Sequence, residues 1–134
     1  MVVGGKLKLI LISYGLKRNE GNADDGYRSI PVADLYFDCR GVDEHTYKGA
    51  GARGTSEEFL DHVSAKSGGV ITSFHRLIED AIPFIPARRS DKKDPWADPF
   101  VVCFLCAHGM HRSVASKILV GKRLAKAGWN VEVK

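Results

Sequence analysis

The stretch Cys106-Ala107-His108-Gly109-Met110-His111-Arg112-Ser113 places a thiol, two imidazoles, a guanidinium and a hydroxyl within eight residues. The apolar run Phe100-Val101-Val102-Cys103-Phe104-Leu105 precedes it and a helical pattern follows it. A strand, a tight loop containing glycine and a helix start in that order aim backbone N–H groups and the positive end of the helix dipole at one point, which favours a bound anion. Arg112 adds a forked cation matched to phosphate or carboxylate oxygens. The expected chemistry is oxyanion binding, with Cys106, His108, Gly109, His111, Arg112 and Ser113 as phosphate-contacting residues. Three readings of the loop stay open: a non-catalytic anion site, a catalytic thiol, or a plain strand-to-helix turn. The amides and dipole that would hold an anion would also lower the thiol pKa and release a thiolate nucleophile. His108 and His111 beside Cys106 raise the idea of a metal site. Structural zinc takes four ligands and no second Cys or His pair completes the set, so neither a metal nor a cofactor is expected. One histidine is instead read as a donor to bound phosphate and the other as orienting the loop.

The elements that must position these residues are read from hydrophobic patterning. Residues 8–13 form a continuous apolar run of the kind that makes a buried parallel strand, and 32–38 read as a second strand. The segments 14–31 and 39–54 are long loops rich in turn residues. Thr55-Ser56-Glu57-Glu58 reads as a capping box with Thr55 as the cap, opening a helix to about residue 66 that Gly68-Gly69 stops. Ile71, Phe74, Leu77, Ile78, Ala81, Ile82 and Ile85 recur at helical spacing, which predicts a second helix over 70–84 with a core-facing stripe. An exposed connection over 86–99 leads to the strand at 100–105. A helix over 113–127 is capped by Gly128, and 130–133 form a short final strand. Strands alternating with helices predict an α/β fold: a mainly parallel sheet of about four strands with helices on both faces. Ligands gather at the carboxyl ends of strands in such sheets. Ser13, Asp38 and Cys106 fall at such ends, so three distant segments are expected to meet at one cleft.

Two further groups belong to that cleft. Asp38 and Arg40 follow the second strand; they either pair with each other or hold the hydroxyl and phosphate groups of one ligand. Lys17, with Arg18 beside it, adds positive charge at the same edge. His45 lies in the loop after Arg40, within reach of the cleft, whereas His62 and His75 fall on helices and are expected at the surface.

Bulk properties narrow the class. At 134 residues, 44% hydrophobic and 27% charged, the chain suits an ordinary folded domain, and residues 1–134 are read as one. No apolar run approaches the roughly 20 residues of a membrane span and no secretory signal pattern opens the chain, so no membrane partner is expected. Three cysteines, two of them inside strand patterns, read as free thiols and point to a reducing, cytoplasmic setting. The net charge of +4 is uneven: the first 67 residues carry nine Lys/Arg against ten Asp/Glu, the remainder eleven against six. Much of the excess lies in Arg88-Arg89, Lys92-Lys93 and the group Lys117, Lys122, Arg123 and Lys126. These read either as a solvated face or as a surface for an anionic partner, with RNA as a candidate.

Cys106-x5-Arg112-Ser113 resembles the loop of cysteine-based phosphatases, which would make Cys106 the nucleophile, Arg112 the oxyanion clamp and Ser113 a donor to the departing thiolate. Leu105 stands where those enzymes usually carry His, and no aspartate is singled out as general acid. The chain as a whole resembles another family. Ser13-Tyr14-Gly15-Leu16-Lys17 is similar to the Ser-Phe-Gly-x-Lys motif of the C-terminal domain of RapZ proteins. Phe37-Asp38-Cys39-Arg40 resembles their Phe-Asp-x-Arg, and Cys106 to Val114 resembles their Cys-Thr-Gly-Gly-x-His-Arg-Ser-Val. Order and spacing agree over about residues 8–134. The resemblance implies an α/β domain that senses a phosphorylated amino sugar, binds small regulatory RNA as an adaptor, and self-associates into a homo-oligomer. Ala107-His108 replaces Thr-Gly in the loop, and Val42-Asp43-Glu44-His45 stands where the family commonly has Asn-Pro. The kinase-like domain that precedes this unit in the family would carry Gly-x4-Gly-Lys-Ser/Thr, which does not occur here, so the domain is read as standing alone or cut from a longer chain.

Overall fold

A computed structural model describes residues 6–16, 30–49, 55–107 and 111–134. The apolar runs form four parallel strands: β1 (Lys8–Gly15), β2 (Leu35–Asp38), β3 (Phe100–Cys106) and β4 (Asn130–Val133), in the spatial order β2-β3-β1-β4. Between β2 and β3 lie helix α1 (Glu57–Ala81), a 3-10 turn (Ile82–Phe84) and the short helix α2 (Ile85–Arg88); α3 (Arg112–Lys126) joins β3 to β4.

The parallel α/β arrangement is the one expected, with one difference in where the helices sit. Moving from β2 to β3 and from β3 to β4 takes the chain in the same direction across the sheet. Right-handed crossovers therefore put α1 and α3 on one face, and the two helices pack against each other there. The expectation of helices on both faces is met on this face only among the described residues. The connection from β1 to β2 runs in the opposite direction and passes largely outside them.

Strand alternation shows which side carries the core. Leu9 and Leu11 on β1, and Phe100, Val102, Phe104 and Cys106 on β3, share one face and are buried. Ile10, Ile12, Val101 and Leu105, on the other face, are half-buried. Phe37, Phe74 and Phe104 join β2, α1 and β3: the Phe37 and Phe74 rings stack at 4.5 Å, and Phe104 lies 5.5 and 6.0 Å from them. Five members of the predicted stripe, Ile71, Phe74, Ile78, Ile82 and Ile85, are buried, but Leu77 is 52% exposed because it falls to the side of the 3-4-4-3 row.

The two helices expected over 55–84 are continuous as α1, and the predicted break survives as a kink at Ser67, with φ −127° and ψ 26°. Ser67 is buried, and its Oγ accepts from the Asp43 backbone N–H at 2.9 Å, so the loop after β2 holds the kink in place. Ser56, one residue beyond the expected Thr55, is the N-cap and accepts from the Phe59 N–H. At the other end of α3, Gly128 adopts φ +101°, the left-handed conformation that glycine enters without steric penalty, and closes the helix as expected. No helix among the described residues is long and apolar enough to cross a membrane.

Candidate functional site

Gly15, Asp38 and Cys106 end their strands side by side. Gly15 is in register with Cys106 and Asp38 with Leu105, and the Leu16 and Cys39 N–H groups continue the ladder to the Cys106 and Leu105 carbonyls at 2.9 and 2.6 Å. β1 therefore runs two residues beyond the expected Ser13, whose hydroxyl instead accepts from the Lys117 ammonium at 2.9 Å. α3 begins at Arg112 directly over these ends. His111 is its N-cap residue and makes no side-chain capping bond, so the first-turn N–H groups receive no cap from it.

Within the loop, the Cys106 thiol donates to the Ser113 hydroxyl at 3.1 Å, and both residues are buried. The Arg112 guanidinium donates to the Arg40 carbonyl at 2.6 Å, which ties the start of α3 to the segment after β2. Arg40 in turn clasps Asp38: its Nε lies 2.9 Å from Oδ1 and its Nη2 2.8 Å from Oδ2, while its own N–H also donates to Oδ1. These bonds hold the Asp38 carboxyl at about 2, below its ordinary value, with the nearby Arg112 charge adding to the effect. Of the two roles open to Asp38 and Arg40, the structure shows the mutual pair.

The structure thus brings Asp38, Arg40, Cys106, His111, Arg112 and Ser113 to one corner of the sheet. Lys17, His108 and Gly109 lie outside the described residues. Glu44 is the residue sequence reasoning missed. Its Oε2 lies 2.5 Å from His111 Nδ1 and its Oε1 3.7 Å from Arg112 Nε. A carboxylate six residues past a strand has no spacing signal that would single it out, and His45, the candidate from the same loop, is exposed. His62 and His75 are half-buried rather than at the surface, facing Asp43 and Glu79 respectively.

The basic groups divide in the same way. Lys117 is buried and donates to Ser13 and to the Lys134 carbonyl, and burial pushes its pKa down. Arg123 donates to Thr72 on α1, and Arg89 to the carbonyls of Pro95, Asp98 and Pro99. Arg88, Lys92, Lys93, Lys122 and Lys126 are exposed. Cys39 is buried beside Ser116, and desolvation pushes its thiol up to about 12.

An all-parallel sheet with a helix starting over its carboxyl ends defines the open α/β class, in which the strand ends are the usual place for a small ligand. Within that class, the RapZ C-terminal domain profile matches residues 7–134, and the chain belongs to that family. It is also 30% identical over 112 residues to nucleotide-binding protein TM1040_2438 of Ruegeria sp. (strain TM1040). That match covers 80% of this chain and 35% of the relative, so the chain corresponds to about a third of the longer protein.

Proposed function

We propose that residues 1–134 form one domain that binds a phosphorylated small molecule, an amino-sugar phosphate or a nucleotide sugar, without turning it over. The observation that carries this reading is Arg112 and His111 at an N-terminus of α3 that no side chain of its cap residue closes, directly over the ends of β2 and β3. In this reading the phosphate is held by loop N–H groups, Arg112, Ser113 and His111, with Cys106, His108 and Gly109 lining the same turn. Lys17, Asp38 and Arg40 contact the remainder of the ligand. Family membership supports a phosphate-type ligand, and the relative's name, a nucleotide-binding protein, is compatible with the nucleotide-sugar form.

The test is a phosphorus NMR titration with glucosamine-6-phosphate. The ester signal should broaden or shift with no inorganic phosphate appearing, and Arg112→Ala should remove the effect while the amide spectrum stays folded. An unchanged response in that variant refutes the reading. Arg112→Lys, which keeps the charge but not the fork, should retain weakened binding.

The Cys106–Ser113 hydrogen bond favours a phosphatase as the second reading, since a serine hydroxyl can stabilise a departing thiolate. Against it stands Asp38, which is held ionised by Arg40 and is therefore a poor general acid at neutral pH. Growth of inorganic phosphate that disappears in Cys106→Ser would move the assignment there. RNA binding in a cytoplasmic adaptor role, by a homo-oligomer, is the family-derived extension. It would rest on Arg88, Lys92, Lys93, Lys122 and Lys126, since Lys117, Arg89 and Arg123 are engaged inside the fold. Its signature would be affinity falling steeply with salt.

A further inference from the structure

We propose that Glu44 sets the anion selectivity of this site, as an internal carboxylate seated on the groups that a phosphate must use. The inference rests on the anion-site reading above. Glu44 comes from a well-anchored loop. On one side Val42 is buried and the Asp43 N–H donates to Ser67 at the α1 kink. On the other, the Thr46 N–H and hydroxyl bind Asp43, and the buried Tyr47 ring meets Phe59 at 5.0 Å and His62 at 5.3 Å. The backbone of Glu44 is therefore fixed between two anchors, and its side chain spans the gap to α3.

There its two oxygens face His111 Nδ1 at 2.5 Å and Arg112 Nε at 3.7 Å, and the carboxylate is largely shielded, with 17% of its side chain exposed. The positive end of the α3 dipole stabilises it further. In the protein as it stands, Glu44 already sits against the Arg112 guanidinium and the His111 ring at the start of the helix. A phosphate placed on Arg112 would come within a few ångströms of this carboxylate. Like charges at that range, in a half-buried setting, oppose one another strongly enough to matter. An incoming phosphate must displace the carboxylate from His111 and Arg112, so the site resists small inorganic anions and yields to ligands that make enough further contacts to drive the exchange. Asp38 repeats the pattern on Arg40, but that pair is local to one strand end and exposed, whereas Glu44 bridges two segments.

The test measures inorganic phosphate affinity of the intact chain by phosphorus NMR line broadening or calorimetry, in the wild type, Glu44→Gln and Glu44→Asp. Glu44→Gln keeps the shape and removes the charge, and should bind inorganic phosphate about five- to tenfold more tightly, the size of one like-charge contact relieved. Glu44→Asp draws the carboxylate back by one methylene and should give a smaller gain. Weaker or unchanged phosphate binding in Glu44→Gln, with wild-type binding intact, would assign Glu44 a purely structural role and overturn the inference while leaving the anion site standing. No inorganic phosphate binding in a folded Glu44→Gln would overturn the inference, and only the further absence of glucosamine-6-phosphate binding would overturn the anion site with it.

Discussion

The exposed Asp38 carboxylate and Arg40 guanidinium meet at the end of β2 through short contacts to both carboxylate oxygens. Because the folded carboxyl titrates at about 2, below its ordinary value of 3.8, the pair contributes stability that is fully present above pH 4. That contribution is lost as the pH falls through the folded value. A carbon-13 titration of the Asp38 carboxyl should give a midpoint near 2, moving back toward about 4 in Arg40→Ala. A midpoint near 4 in the wild type would mean that the pair does not persist in solution. The type and spacing of Asp38 and Arg40 were readable in the sequence, and so was the closeness of Cys106 to Ser113, whereas the bond from Arg112 to the Arg40 carbonyl was not. Glu44 was not, because its partners, His111 and Arg112, lie 67 and 68 residues away in sequence and only tertiary folding of an irregular loop makes it their neighbour.

At the scale of elements, hydrophobic patterning located the four strands among the described residues and the helical stretches that became α1 and α3, since a buried face imposes its repeat on the chain regardless of what it packs against. Boundaries and partners were less accessible. Gly68-Gly69 marked the break in the helical pattern, yet the helix continues through it as α1 because Ser67, not glycine, absorbs the kink and the Asp43 N–H pins it from outside. Nothing local announces a hydrogen bond between residues 24 apart. Ser67→Ala leaves that N–H without its acceptor and should lower stability by about 1–2 kcal/mol in a urea melt. Gly68→Ala, where an added Cβ would meet no atom within 4 Å, should be neutral or mildly stabilising. Equal effects of the two would show that the kink draws nothing from the loop. The shared face of α1 and α3 was likewise hidden, because it depends on strand order, which local patterning does not encode.

For the whole molecule, the uneven charge seen in the sequence has two destinations that composition could not separate. Part of the basic excess in the second half is exposed, and part holds the fold together from within. Arg123 and Trp129 fasten the end of α3 to Thr72 and Glu79 on α1. Arg89, with only 14% of its side chain exposed, gathers three carbonyls of the segment leading into β3 and lies 3.7 Å from Asp34. Asp34 in turn accepts from the Val101 N–H at 2.7 Å, so one guanidinium organises the entrances to both β2 and β3 at the sheet end opposite the candidate site. Removing it breaks three bonds, of which the one to Pro95 is part-buried while the Asp98 and Pro99 carbonyls belong to exposed residues, which places the expected loss for Arg89→Ala at about 1–2 kcal/mol. Because the anion site lies at the other ends of these strands, phosphate affinity measured well below the unfolding transition should stay at the wild-type value. Loss of affinity in a still-folded Arg89→Ala would instead count this arginine among the ligand-facing cations and return the basic stretch 88–93 to the binding surface. Unchanged stability would mean that water satisfies those carbonyls as well as the guanidinium does.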